Sequence, residues 1–144
     1  MHLLYGQDAV VAQKVSEIIG IKFEMFAAIG VVNERDELIG GVVYNNFYRD
    51  IHGQPLSIEL SLGMLDKRWC TRNNVRALLA YPFIQLSVKR VQVTCREDDV
   101  FLRKLHERFG FTFEGIAREA HPLGGNSSVS SMLKQECFWI KNAL

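Results

Sequence analysis

Apolar positions along this chain follow two periods, and the switches between them predict the elements. Residues 8–19 carry Val11, Val15, Ile18 and Ile19 at i, i+4, i+7 and i+8, one stripe on a helix that covers a sheet face. Asp8 suits its N-cap and Gly20 its C′ position. Residues 24–32 and 38–48 are apolar runs joined by the polar turn Asn33 to Glu37, which predicts a hairpin. Gly30, Gly40 and Gly41 interrupt both runs, as glycine does at a bulge or a close backbone approach. After a loop at 49–55, residues 56–65 alternate strictly. Leu56, Ile58, Leu60, Leu62 and Met64 take one face, and Ser57, Glu59, Ser61 and Gly63 take the other. That polar face is either solvated surface, the usual state for one side of an antiparallel sheet, or the wall of a site.

The helical period returns after residue 74, with Val75, Leu78, Leu79, Pro82, Phe83 and Leu86 on one stripe. Thr71 or Asn73 caps this helix, and Pro82 kinks it or ends its regular part. A strand over 89–96 places Val91, Val93 and Cys95 on one face. Asp98 or Asp99 caps the next helix, whose stripe is Phe101, Leu102, Leu105 and Phe109, with an Arg103–Glu107 pair on its surface and Gly110 at its end. A strand follows over 111–119, then a turn at 121–126 and a last strand over about 128–138. Residues 2–5 add a short strand. The order is that of an α+β (mixed α/β) domain spanning 1–144, with helices packed on a mostly antiparallel sheet.

Composition narrows the function classes. A chain of 144 residues with 48% hydrophobic and 23% charged residues is one ordinary globular domain. A formal charge of +1 and the lack of a basic-aromatic motif argue against nucleic acid as a partner. No apolar run approaches the roughly 20 residues of a membrane span, and no signal peptide is visible, so the expected location is cytoplasmic. Cys70, Cys95 and Cys137 are scattered and odd in number, which suits free thiols in a reducing compartment. The four histidines lack ligand spacing, so no metal is expected. Lys67, Arg68, Arg72 and Arg76 cluster where a helix begins, with no acid between Lys67 and Arg76. Basic side chains beside the free N–H groups of a helix start form an anion site suited to phosphate; the alternative is a solvated basic loop.

Several words then acquire a meaning together. Lys89-Arg90-Val91 precedes a strand, Arg108-Phe109-Gly110-Phe111 ends a helix, and Phe113-Glu114-Gly115 and Arg118-Glu119 follow. Arg76-Ala77-Leu78-Leu79 and Tyr81-Pro82-Phe83 lie on the preceding helix, and Met132-Leu133, Glu136 and Trp139 close the chain. Over about residues 24–139 this resembles the GNAT superfamily of acetyl-CoA-dependent N-acyltransferases, in particular its ribosomal-protein N-terminal acetyltransferase-like branch. The resemblance implies a sheet of six to seven strands, splayed between 56–65 and 89–96, with three to four helices. Acetyl-CoA as co-substrate would lie in that V, its pantetheine paired to the backbone of Leu62, Gly63 and Met64 like an added strand. Its pyrophosphate would rest on Arg68, Thr71, Arg72, Asn73 and Asn74, with Asp99 near the cofactor.

The resemblance also implies the chemistry. An alkyl amine is mostly protonated at neutral pH, so a carboxylate must take a proton. Glu59, on the polar face of the central strand, is the candidate. A backbone N–H near Leu62 or Gly63 would polarise the thioester carbonyl. His106 stands where many members carry a tyrosine that protonates the departing thiolate, a job an imidazolium can do. One departure is plain: the family's phosphate loop reads Arg/Gln-x-x-Gly-x-Gly/Ala, whereas the window Arg68 to Asn74 has no glycine. Asn73 or Asn74 would have to supply any left-handed backbone. The expected activity is N-acetyl transfer to an amine, on a small molecule or a protein. The second reading is a catalytically degenerate GNAT-fold binding or structural component, since small size and a degenerate loop also resemble phage-encoded members. A homo-oligomer is open under either reading, and the second would add a virion partner and a virion location.

Overall fold

The computed structural model describes residues 1–141. Seven strands form one sheet: β1 (His2–Leu4), β2 (Phe26–Val32), β3 (Leu38–Arg49), β4 (Pro55–Met64), β5 (Arg90–Arg96), β6 (Thr112–Ala117) and β7 (Ser127–Leu133). Their order across the sheet is β1-β2-β3-β4-β5-β7-β6, and every pairing except β4–β5 is antiparallel. This is the mixed α+β architecture that the two periods predict. Among the described residues no helix is long and apolar enough to cross a membrane.

Helix α1 (Asp8–Ile19) covers one face, burying Val11, Ala12 and Val15 against Ala28 and Val43. It lies close because the strands beneath it carry no side chain at three points. A Cβ added at Gly30 or Gly41 would come within 2.8 or 2.6 Å of Val11, and one at Gly63 within 3.1 Å of Ile19. Gln7, not Asp8, occupies the N-cap, and its side chain makes no capping bond; Asp8 is the first helical residue, where its charge still suits the helix dipole. Gly20 ends α1 in the left-handed conformation, its N–H bonded to Ser16 O.

Helix α2 (Arg72–Ala80) and helix α3 (Val100–Phe109) serve the larger core on the other face. Thr71 caps α2 by accepting the Asn74 N–H. At Pro82 the helix widens into one π-turn, Tyr81–Gln85, closed by the Leu86 N–H on Tyr81 O at 3.0 Å. A proline that cannot donate to the preceding turn forces that change of spacing. Buried Tyr44 ties α2 to β3 through a 2.6 Å bond from its hydroxyl to Leu78 O. Asp99 caps α3 and Gly110 ends it. The Arg103–Glu107 pair does not form: Arg103 instead donates to Glu97 O and lies over the Phe113 ring.

The last strand is shorter than its apolar pattern suggests. β7 stops at Leu133, whose N–H donates to Glu136 Oε1, and the chain turns back into the core. Cys137 and Ile140 are buried there, and Trp139 Nε1 donates to Phe109 O at 2.8 Å. Cys137, Trp139 and Ile140 therefore serve the packing of α2 and α3, not a strand.

The central feature is where β4 meets β5. Their parallel pairing comprises Ser57–Arg90, Ile58–Val91 and Glu59–Gln92. Beyond that rung β4 continues beside β3 to Met64, and β5 continues beside β7 to Arg96. The two halves of the sheet part at Glu59.

Candidate functional site at the parting of the sheet

A cleft of about 1490 Å³ runs through the parting. On the α2/α3 side its wall includes Trp69, Val75, Leu78, Leu105, His106 and Phe109; on the α1 side it is bounded by the 22–26 segment, the end of β3 and the β6–β7 turn. The polar face of β4 is therefore not solvated surface throughout. At Gly63 it lies under α1, and at Glu59 it opens into the cleft.

Glu59 is held by neighbours on both sides. Gln92 Nε2 donates to Glu59 Oε1 at 2.9 Å, and Asn46 Nδ2 lies 3.4 Å from Oε2. The orientation of Gln92 follows from the next link, because Arg90 Nη1 donates to its Oε1 at 2.9 Å and so turns its NH₂ toward Glu59. Arg90 also reaches Ser57 Oγ at 3.3 Å and pairs with Glu114. That pairing holds the Glu114 carboxyl below its ordinary range, and a bond from Ser131 adds to it. The chain Glu114–Arg90–Gln92–Glu59–Asn46 thus crosses β6, β5, β4 and β3 at the last rung before the strands part. Asn45, opposite Glu59 in the β3–β4 register, also lines the cleft, and its Oδ1 is buried without a partner among the described residues. Of these residues sequence reading singled out Glu59 alone for chemistry. The signal for Gln92 was its place between Arg90 and Thr94 on the polar face of β5, but its partner depends on which strand lies alongside.

Beyond Glu59 the edge of β4 from Leu60 to Met64 has no strand partner on the β5 side. Leu62 lines the cleft there, and Gly63 and Met64 share that open edge. The start of α2 follows through a 3-10 turn, Lys67–Trp69. Four cations predicted to gather there divide into two pairs. Arg68 is bound to Asp66 through a 2.7 Å ion pair, and each raises the other's preference for its charged form. Arg76 donates Nε to Trp139 O at 3.1 Å. Lys67 and Arg72 are exposed and form no ion pair among the described residues.

Asn73 and Asn74 lie in the first turn of α2 and neither has a positive φ, so neither replaces a loop glycine in backbone conformation. Asn74 is turned inward, its Nδ2 on Trp69 O at 2.8 Å. Thr71 Oγ1 and Thr71 O take the N–H groups of Asn74 and Val75, leaving those of Arg72 and Asn73 at the helix start without a helical partner. Trp69 does not cross the cleft: it packs against Phe109 with ring centroids 6.3 Å apart and forms part of the wall.

His106 reaches the cleft from α3 and packs edge-on to Phe111, centroids 6.2 Å apart. Burial pushes its pKa down to about 4, against a smaller upward pull from Asp99. At neutral pH the ring is therefore a neutral imidazole with one N–H to donate, not the imidazolium expected from the resemblance. Asp99, at the same end of the cleft, spends one carboxylate oxygen on the Leu102 N–H at 3.0 Å.

The His106 shift has a sign that solution work can read. Between about pH 4 and 6.5 the unfolded chain holds a proton on this ring that the folded chain does not. Stability should therefore fall as pH drops through that window, by on the order of 3 kcal/mol from this residue. Urea melts from pH 7 to 4 on wild type and His106→Leu should show the difference between them shrinking against wild type by that amount. A constant difference would mean the ring is protonated or solvated in the fold.

No protein-family model matches the chain, and no curated protein sequence matches it. Solved structures do. A ribosomal-protein-S5-alanine acetyltransferase from Vibrio fischeri superposes with a TM-score of 0.69 at 15% identity, over 94% of this chain and 93% of that one. A spermidine N-acetyltransferase variant from Vibrio cholerae gives 0.63 at 16% identity over 83% and 70%, and a GNAT-family acetyltransferase from Bacillus anthracis gives 0.59 at 17% over 76% and 67%. The fold is that of GNAT acetyltransferases. Nothing in these neighbours points to a phage origin or a virion role.

Proposed function

We propose that this chain is an N-acetyltransferase that moves an acetyl group from acetyl-CoA to a primary amine. The observation that carries the reading is the parting of β4 and β5 with a carboxylate, Glu59, at its apex. The residues present fit the co-substrate in three respects. The cleft has room for an extended chain, the open edge of β4 at Leu62, Gly63 and Met64 can pair with an amide-bearing arm, and the start of α2 offers two N–H groups with Lys67 and Arg72 beside them. Arg68, Thr71, Asn73 and Asn74 shape that helix start, Arg68 through Asp66 and Asn74 from within.

When bound, acetyl-CoA would supply the thioester, whose C–S bond breaks as the amine nitrogen forms the new C–N bond, the thiolate taking its proton from solvent as it leaves the cleft. Glu59 takes the proton that the amine must lose. Gln92, set by Arg90, holds Glu59 Oε1 at 2.9 Å, while Oε2 has only the longer 3.4 Å contact from Asn46 and is the oxygen that faces the amine. Backbone N–H on the open edge near Leu62 and Gly63 stabilises negative charge on the carbonyl oxygen. His106, neutral, contributes one N–H to the cleft wall. Apolar walls at Trp69, Phe109 and Leu105 exclude water from the thioester.

Calorimetry with acetyl-CoA tests this directly. Heat of binding is expected, together with thermal stabilisation worth about 2.7 kcal/mol at a hundredfold excess over Kd. Absence of both at millimolar acetyl-CoA overturns the assignment.

A further inference from the structure

The α1 side of the cleft, where an acceptor would enter, has a lining that selects among amines. Met25, Phe47, Tyr48 and Leu123 are all exposed large apolar side chains, Met25 to 87%, and all four line this opening. They come from three segments, the approach to β2, the bulged end of β3 and the β6–β7 turn. Leu123 also sits against Gly20 at the end of α1, which carries the β6–β7 turn across from the other half of the sheet. Apolar groups gathered at the mouth of a cleft, while left in water, mark a surface that is covered in use.

The charges at the same opening do not favour a polycation. Lys22 and Arg49 line it alongside Glu24 and Glu59. Glu59 already accepts from Gln92 and lies next to Asn46. Arg49 lies over the Phe47 ring at 4.9 Å, so a cation already occupies one aromatic face. Lys22 and Arg49 offset Glu24 and Glu59, so the opening carries no excess of negative charge to gather a second or third ammonium.

From this lining, and resting on the transferase reading, we infer that the acceptor is a monoamine carried on an apolar body, its nitrogen at Glu59 and its apolar part against Met25, Tyr48 and Leu123. An arylalkylamine and a chain N-terminus with an apolar first side chain share that chemistry.

The test needs no acetyl-CoA, so it fails or succeeds independently of calorimetry on the co-substrate. The protein, with its methionine methyls ¹³C-labelled, is titrated with 2-phenylethylamine, with an amidated Phe-Ala-Ala peptide and with 1,4-diaminobutane. The Met25 methyl signal should move with at least one of the first two, at a Kd at least tenfold below that of the diamine. Tighter binding of the small amine or of the peptide identifies the source, and either order supports the inference. Tyr48→Ser with Leu123→Ser, both at the surface, should weaken the aromatic ligand at least fivefold and leave the diamine unchanged. Equal or tighter diamine binding, an unmoved Met25 signal, or an indifferent double variant would overturn it.

Discussion

Glu59→Gln is expected to lower kcat for acetyl transfer by about 10²- to 10³-fold, the usual contribution of a positioned general base. Acetyl-CoA should bind the variant within twofold of wild type. Glutamine keeps the volume and leaves an acceptor for the Gln92 N–H, which donates at 2.9 Å, so the rung between β4 and β5 survives while the proton acceptor is lost. Gln92→Leu probes the same oxygen from behind. It removes one bond to a charged group and should cost about tenfold in kcat, in line with about 1.5 kcal/mol for such a bond. Steady-state kinetics with acetyl-CoA and 2-phenylethylamine, paired with calorimetry, read both effects. Unchanged turnover in Glu59→Gln would remove that residue from the mechanism, and a Gln92→Leu effect confined to melting temperature would leave Gln92 a structural link.

How far these residues could be read in advance depends on what each one's position requires. The elements follow from period alone, because stripes such as Val11, Val15 and Ile18 or the alternation along 56–65 are properties of one segment. Caps are equally local: Thr71, Asp99, Gly20 and Gly110 act within a few residues of themselves. The site is not local. Glu59 and Gln92 are 33 residues apart in the chain and meet because β4 and β5 pair in parallel for three residues. Nothing in either strand states that register; the resemblance to a known fold supplied the neighbourhood, and the pattern alone left Glu59's face open.

The basic cluster shows the opposite failure. Counting Lys67, Arg68, Arg72 and Arg76 as one charged patch ignored Asp66, two residues before Arg68, and a tail carbonyl at Trp139 that nothing near Arg76 announces. The tail misled for a related reason: Cys137, Trp139 and Ile140 are apolar because they fill the space between α2 and α3, and burial without pairing looks like a strand in one dimension. His106 was visible as the odd polar residue on an apolar stripe. Its charge state depends on how deeply that stripe is buried, a quantity only the packed fold supplies.

Glycine at position 40 ties the architecture to the site, and its replacement is expected to have the largest effect on stability. Gly40 sits at φ +146°, opposite Met64, and a Cβ there would lie 2.0 Å from Gly63 O and 2.8 Å from Met64 Cα. Both obstacles are backbone, so no side-chain rotation relieves them. β3 and β4 would have to separate at the rungs that support the open edge of β4, and the register that sets Asn45 beside Glu59 would be strained with them. Gly40→Ala should cost on the order of 4 kcal/mol or more, a large part of the stability of a domain this size. Gly124→Ala is the matched control. It too has positive φ, +100°, but has nothing within 4 Å of the added carbon, so it should cost only about 1 kcal/mol of backbone strain. Urea denaturation followed by circular dichroism separates the two: a midpoint for Gly40→Ala within error of Gly124→Ala would mean that β3 and β4 do not approach as closely as the sheet requires. If they do, a glycine that reads in sequence as an interruption of a strand is the condition for holding the edge of β4 against β3 while its other side stays open.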